Sequence, residues 1–261
     1  MDRFNRYGLM NSLIAILNEG NDSTDIFIAK YFMQNFRRMQ DLNVYDVADE
    51  CFVDRATIRR FAQKLGYANF KEMKEQFENF NEYYKFYRAC QIGDGSPMAQ
   101  QISDMAQDID RQLDDGSIEI LIDRINESGD IVFLTSDIYS NQGIDFQKTM
   151  IMAGKMVRIV SNVYENHVVL RDLDPNDLLV VLSISGFFAR ESLDFISNLN
   201  VQKILMTSLR APRFEEEYDD VFYISEGFHE ETRSIYALFG IKYYLEKISL
   251  AYINKYASIA K

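Results

Sequence analysis

Apolar residues recur at helical spacing over the first third of the chain and later gather into short β-branched runs. Leu9, Leu13, Ile14, Ile16 and Leu17 predict an amphipathic helix over Leu9–Leu17, ended by Gly20-Asn21-Asp22-Ser23. Ser23 or Thr24 stands where a second helix, Asp25–Gln40, needs its N-cap, and Phe27, Ile28, Tyr31, Phe32 and Phe36 make its core stripe. Val44, Val47, Ala48 and Cys51 share one face of a shorter segment, Val44–Glu50. In Arg55–Leu65, Ile58, Phe61, Ala62 and Leu65 form a stripe, and Arg55, Arg59, Arg60, Gln63 and Lys64 lie opposite. Asp54 stands at its N-cap position, Val53 and Ile58 are spaced for a hydrophobic staple, and Gly66 fits the position just past its end. Asn69–Phe80 closes this helical region through Phe70, Met73, Phe77 and Phe80, and the aromatic run to Tyr87 reads as core or as a surface between protomers.

Gln91-Ile92-Gly93-Asp94-Gly95-Ser96-Pro97 is a linker by composition. Met98–Asn126 returns to helical spacing, with Asp115-Gly116-Ser117 as an expected interruption before Ile118–Ile125. From Asp130 the period changes. Ile131–Thr135, Val157–Val160, Leu178–Ile184, Lys203–Thr207 and Val221–Ile224 read as strands, with helices at Asp145–Ala153, Asn166–Asp172, Arg190–Leu199 and within Glu231–Ala257. Strands that are apolar throughout, alternating with helices, belong in a parallel sheet covered on both faces. The expected architecture is an all-α domain over residues 1–85, a linker over 86–97, and a three-layer α/β domain with a five-stranded parallel sheet over 98–261.

Two short helices joined by Cys51-Phe52-Val53, with a basic outer face on the second, make a helix-turn-helix. Charge sharpens this reading. The chain carries a net −12, yet Arg55 to Lys74 holds six basic residues against one acid. Residues 1–85 are nearly neutral, with 12 Lys+Arg and 13 Asp+Glu, and the other 16 and 27 fall in residues 86–261. Because screening acts over ~8 Å at physiological salt, an acidic second domain does not cancel a local basic face. An ordinary solvated helical face is the bland alternative.

The run Val47-Ala48-Asp49, then Ala56-Thr57-Ile58-Arg59-Arg60-Phe61-Ala62-Gln63-Lys64-Leu65-Gly66-Tyr67-Ala68-Asn69-Phe70-Lys71-Glu72-Met73-Lys74, resembles the N-terminal domain of RpiR-type (MurR/RpiR) bacterial transcriptional regulators. Asp54 stands where that family usually has Ser. The resemblance implies a C-terminal sugar-isomerase-like (SIS) domain with the strand order of flavodoxin, sensing sugar phosphates. On this reading Ala56, Thr57, Arg59, Arg60 and Gln63 are candidates for base edges, and Arg55, Lys64, Lys71 and Lys74 for phosphates. The implied partners are double-stranded operator DNA, a small-molecule effector and a second copy of the chain, as a homodimer or dimer of dimers, with no cofactor and no membrane contact.

In open parallel sheets a ligand sits beyond the carboxyl ends of the strands. Thr135, Ser136 and Ser140 after the first strand, and Ser183, Ser185 and Gly186 after the third, are the candidate ligand residues; simple turn chemistry is the alternative. The loop Thr207-Ser208-Leu209-Arg210 is a third. Thr135, Asp137 and Tyr139 stand where the resembled family reads roughly G-x-G-x-S, and Phe188 where its third-strand motif ends in Thr. An effector less anionic than a sugar phosphate, or a domain acting only as a dimerisation scaffold, therefore stays open beside sugar-phosphate sensing. A SIS-type isomerase with an appended helical domain is the rival class. His229, Glu230 and Glu231 are the one cluster that could supply its acid–base groups, although acids there also suit a helix first turn. His167 reads as an ordinary histidine and the expectation is no enzyme. Cys51 and Cys90 form neither metal spacing nor a disulfide framework. With no apolar run of membrane-spanning length and no signal-like start at Met1-Asp2-Arg3, the expected compartment is the cytoplasm.

Overall fold

A computed structural model describes residues 8–78, 84, 86, 87, 96–161, 168–229 and 234–257. The chain divides into two compact units, Met1–Arg88 and Ala89–Lys261. In the first, α1 (Leu9–Glu19), α2 (Ser23–Asn35), a 3-10 turn (Phe36–Asp41), α3 (Val44–Glu50), α4 (Arg55–Lys64) and α5 (Phe70–Glu75) enclose one core. Phe32 sits at its centre, with the rings of Phe61, Phe70 and Phe77 at centroid distances of 5.6, 6.3 and 5.7 Å.

Several expected boundaries move. Asp22, rather than Ser23 or Thr24, caps α2 by accepting from Thr24 N. The helix stops at Asn35, whose side-chain amide donates to the Tyr31 carbonyl and so competes with helical propagation. Phe27, expected in the core stripe, is 46% exposed, while Ile28, Tyr31 and Phe32 are buried. Two consecutive helix ends use the same device. Gly66 N–H bonds Gln63 O and Tyr67 N–H bonds Ala62 O, a Schellman end with Gly66 at φ 98°. Phe52 takes the equivalent place after α3, at φ 56°, with Phe52 N–H on Asp49 O and Val53 N–H on Ala48 O. Tyr84 packs against Phe36 and takes the Arg37 guanidinium over its face, and Phe86 is buried; Phe80 and most of the expected linker, including Cys90, lie outside the described residues.

In the second unit come α6 (Met98–Gln112), α7 (Asp115–Glu127), β1 (Ile131–Thr135), α8 (Ser140–Met152), β2 (Val157–Val160), α9 (Val168–Arg171), β3 (Leu178–Ser183), α10 (Phe187–Ile196), β4 (Gln202–Thr207), α11 (Pro212–Glu217), β5 (Asp220–Tyr223) and α12 (Ile241–Tyr256), the last preceded by a π turn at Tyr236–Gly240. The sheet is parallel throughout in the order β2-β1-β3-β4-β5. One face of it, through Val132, Leu134, Leu179, Val181 and Leu205, packs on Phe188, Leu193 and Ile196 of α10 and Phe214 of α11. On the other, Phe146 of α8 meets Phe133 of β1 at 5.5 Å, and α12 lies along α7 and α8. Asp115-Gly116-Ser117 does not interrupt the helices; Asp114 caps α7 just before it, and the break is at Leu113-Asp114. Helix α11 was not expected, because Phe214 alone of its six residues faces the core.

Candidate DNA-binding face and ligand loops

The helix-turn-helix is held by its caps. Asn43 accepts from Tyr45 N and Asp46 N while Asp46 accepts from Asn43 N, a complete capping box on α3. Asp54 accepts from Thr57 N at 2.6 Å and fixes the start of α4; that bond holds its carboxyl below the usual carboxylate range. Asn69 accepts from Glu72 N and starts α5. Ile58, Phe61 and Ala62 turn into the core, which leaves Arg55, Ala56, Arg59 and Arg60 exposed on the outer face, with Lys71 exposed on α5. Thr57 is half-buried and its hydroxyl takes a 2.8 Å bond from Arg60 Nη2; Gln63 reaches the Ala68 carbonyl at 3.5 Å. Arg55 lies over the Tyr45 ring, 4.4 Å from its centroid.

Two of the candidate lysines also bond partners inside the unit. Lys64 pairs with Asp25 of α2 at 2.5 Å, so its charge is neutralised inside the unit and it is not a free phosphate contact. Lys74 donates to the carbonyls of Gln40 (2.7 Å) and Leu42 (2.9 Å), tying the end of the 3-10 turn to α5. Sequence spacing placed Lys64 on the outer side of its helix and charge made Lys74 a candidate, but tertiary packing brought acceptors to both.

In the second unit the candidate ligand residues do meet. Thr135 ends β1 beside Leu182 of β3, and Ser183 pairs in register with Thr207 of β4, so the loops share the carboxyl edge at the point where strand order reverses. Their hydroxyls, however, serve the fold. Thr135 Oγ1 donates to Leu182 O and Ser140 Oγ to Asp137 O. Ser183 Oγ accepts from Ala189 N and Ser185 Oγ from Phe187 N, so both cap α10. Gly186 adopts φ 73°, and a Cβ there would lie 2.6 Å from Leu209 Cδ2. Among the described residues, Ser136 Oγ and Gln142 Oε1 are buried without a hydrogen-bond partner. Phe188, which stands where the resembled motif ends in Thr, is 8% exposed and packs in the sheet core, whereas Phe187 is exposed.

A cavity of about 730 Å³ lies elsewhere on this unit, between α6 and the turn after β5, and sequence reasoning missed it. Asp108 is buried on its wall; it accepts from Tyr236 Oη at 2.5 Å and from Glu226 N. The only signal for it was an acid on the apolar side of α6. His229 stacks on Tyr236 at 4.0 Å, and burial pushes its imidazole below the ordinary histidine value. Glu230, Glu231 and His167 lie outside the described residues. Among the described residues no helix is long and apolar enough to cross a membrane and no group of three metal-ligating side chains assembles.

Residues 10–80 match the family model of the helix-turn-helix domain, rpiR family. The chain is 22% identical over 213 residues to the HTH-type transcriptional regulator GlvR of Bacillus subtilis (strain 168), covering 77% of this chain and 79% of GlvR. Among solved structures, the Vibrio vulnificus NanR protein complexed with ManNAc-6P superposes with a TM-score of 0.53 at 14% identity, covering 95% of this chain and 92% of NanR. The sugar isomerase domain of an RpiR transcription factor from Sphaerobacter thermophilus gives 0.50 at 12% identity, covering 60% of this chain and 90% of that one. Residues 10–80 are a helix-turn-helix domain of the rpiR family, followed in this chain by an α/β domain of the SIS fold.

Proposed function

We propose that this protein is a DNA-binding transcriptional regulator of carbohydrate genes, working as a homodimer in the cytoplasm, with the SIS-type domain as its sensor. The observation that carries the first half is the exposed set Arg55, Ala56, Arg59 and Arg60 on a capped recognition helix of an rpiR-family domain. A helix of this kind reads major-groove edges, and small helix-turn-helix domains act as pairs on half-sites one or more turns apart. Arg59→Ala and Arg60→Ala should each weaken binding by ~1–3 kcal/mol where the side chain reads a base, with the thermal midpoint unchanged. Fluorescence anisotropy on a duplex selected by the wild-type protein checks this. Affinity unchanged in both variants would remove the recognition-helix assignment.

For the sensor, NanR was solved with ManNAc-6P, and the SIS-type domain here gathers its candidate hydroxyls at the carboxyl edge of the sheet. Thr135, Ser136, Ser140, Ser183, Ser185 and Gly186 are the proposed contacts, with Ser136 Oγ the hydroxyl not engaged by the protein. Ligand at 100 times its Kd raises stability by ~2.7 kcal/mol, so a thermal-shift screen of sugar phosphates reads the sensor directly. A specific observation favours a second reading: Ser183 and Ser185 already cap α10. If no sugar phosphate shifts the midpoint, the domain is a dimerisation scaffold or takes an uncharged ligand. The reading as a regulator, and not an enzyme, is tested by the same screen: turnover of any hit would contradict it.

A further inference from the structure

Beside the recognition helix lies a cavity of about 460 Å³ with Leu42, Val44 and Phe70 in its lining. Its polar lining is Arg55, Arg59, Lys71, Lys74, Asn43 and Asn69: four cations, two neutral amides and no acid. That is unusual for this chain, in which acids outnumber bases by 40 to 28. The choice of helix caps follows the same division. Asp22 and Asp114 cap helices away from the cavity and Asp54 caps α4 without lining it, whereas both caps that do line it, on α3 and α5, are asparagine. Asparagine and aspartate cap about equally well, so helix stability does not select between them. A neutral amide differs in that it leaves two N–H donors and brings no negative charge.

The cations are held in place. The Tyr45 ring carries the Arg55 guanidinium, and the Gln40 and Leu42 carbonyls fix two of the three Lys74 protons, leaving one to donate. Acids on the flanking helices are bonded to backbone amides: Asp46 accepts from Asn43 N, Asp54 from Thr57 N and Glu72 from Ala68 N. We propose that this cavity seats a backbone phosphate of the duplex, on the strand flanking the groove that α4 enters. The proposal rests on the DNA-binding reading above. A DNA phosphate is favoured over a free one because Arg55 and Arg59 belong both to the cavity and to the exposed face of α4, so the site is continuous with the base-reading surface. Phosphate contacts of this kind set register without reading sequence.

Asn69→Asp separates this role from capping, since the new carboxylate still accepts from Glu72 N but brings negative charge to the phosphate. The expected result is an unchanged thermal midpoint with affinity for the selected duplex reduced about tenfold or more. Lys71→Ala, at an exposed position, should flatten the dependence of log affinity on log salt by about 0.9. Asp22→Asn, a cap outside the cavity, should leave both quantities alone. Wild-type affinity and salt slope in Asn69→Asp and Lys71→Ala, alongside weakened binding in Arg60→Ala, would overturn the phosphate seat and keep the DNA-binding reading. Unchanged binding in all three would overturn both. If 10 mM inorganic phosphate raises the wild-type midpoint, and Asn69→Asp abolishes that shift without altering DNA affinity, the cavity takes a free anion and the DNA assignment is wrong. Should Asn69→Asp lower the midpoint, Lys71→Ala alone decides.

Discussion

At the scale of single residues, two positions hold backbone in the left-handed region for different reasons. Gly186 must have no side chain, since its φ of 73° and the approach of Leu209 both exclude a Cβ. Gly186→Ala should therefore cost ~1–3 kcal/mol, read as a lower denaturant midpoint with unchanged slope. An unaltered midpoint would show that Leu209 and the loop relax freely. Phe52, by contrast, bears the left-handed strain with a ring that is 89% exposed. The turn after α3 thus needs a left-handed residue but not a glycine. The first ligand loop, where Thr135, Asp137 and Tyr139 stand in place of the resembled family's G-x-G-x-S, likewise needs no glycine, since none of its residues has a positive φ. Thr135 and Tyr139 are buried there, and Asp137–Tyr139 forms a 3-10 turn that runs straight into α8, so the loop is built from side chains rather than from open backbone.

At the scale of elements, helix faces were legible wherever one period ran unbroken. The α4 stripe of Ile58, Phe61 and Ala62 is buried as its spacing required, and Asp54 caps it. Ends depended on side chains whose choice of partner is local but not periodic, as with Asn35 on Tyr31 O. The Lys64–Asp25 pair, joining α4 to α2 with side chains 35% and 15% exposed, shows the limit. Charge and position made Lys64 a phosphate candidate, yet 39 residues separate it from the acid that takes it. Lys64→Met should lower the thermal midpoint of the protein while leaving the salt slope of DNA binding as in wild type. A slope reduced by ~0.9 would instead return Lys64 to the phosphate contacts.

At the scale of the whole molecule, the two units carry different charge and different chemistry. The first is near neutral with its bases gathered at one face, and the second bears most of the net −12. Acid stability belongs to this scale. Burial lowers the His229 imidazole below its unfolded value, with Asp108 pulling weakly the other way. The unfolded chain then binds the proton more readily, so His229 contributes stability above the ordinary histidine pKa of about 6.5 that is lost as pH falls through the lowered value. Between pH 7.5 and 5.5 the wild-type midpoint should fall further than that of His229→Phe, in which carboxylates titrate alike. Parallel curves would mean that the histidine finds a counter-charge on protonation.

The sequence by itself determined most of the elements, their order, the parallel sheet and the basic outer face of α4, because those follow from periodicity, cap chemistry and local charge along contiguous residues. It also reached the hydroxyls at the carboxyl edge of β1 and β3. Tertiary structure alone decided which charged and polar groups remain for a partner. It paired Lys64 with Asp25, tied Lys74 to two carbonyls, set Ser183 and Ser185 on α10, and gathered Asn43, Arg59, Asn69 and Lys71 around one cavity. Hydrogen bonds and ion pairs form between groups that folding brings within about 3 Å of each other, and no spacing along the chain states which those will be.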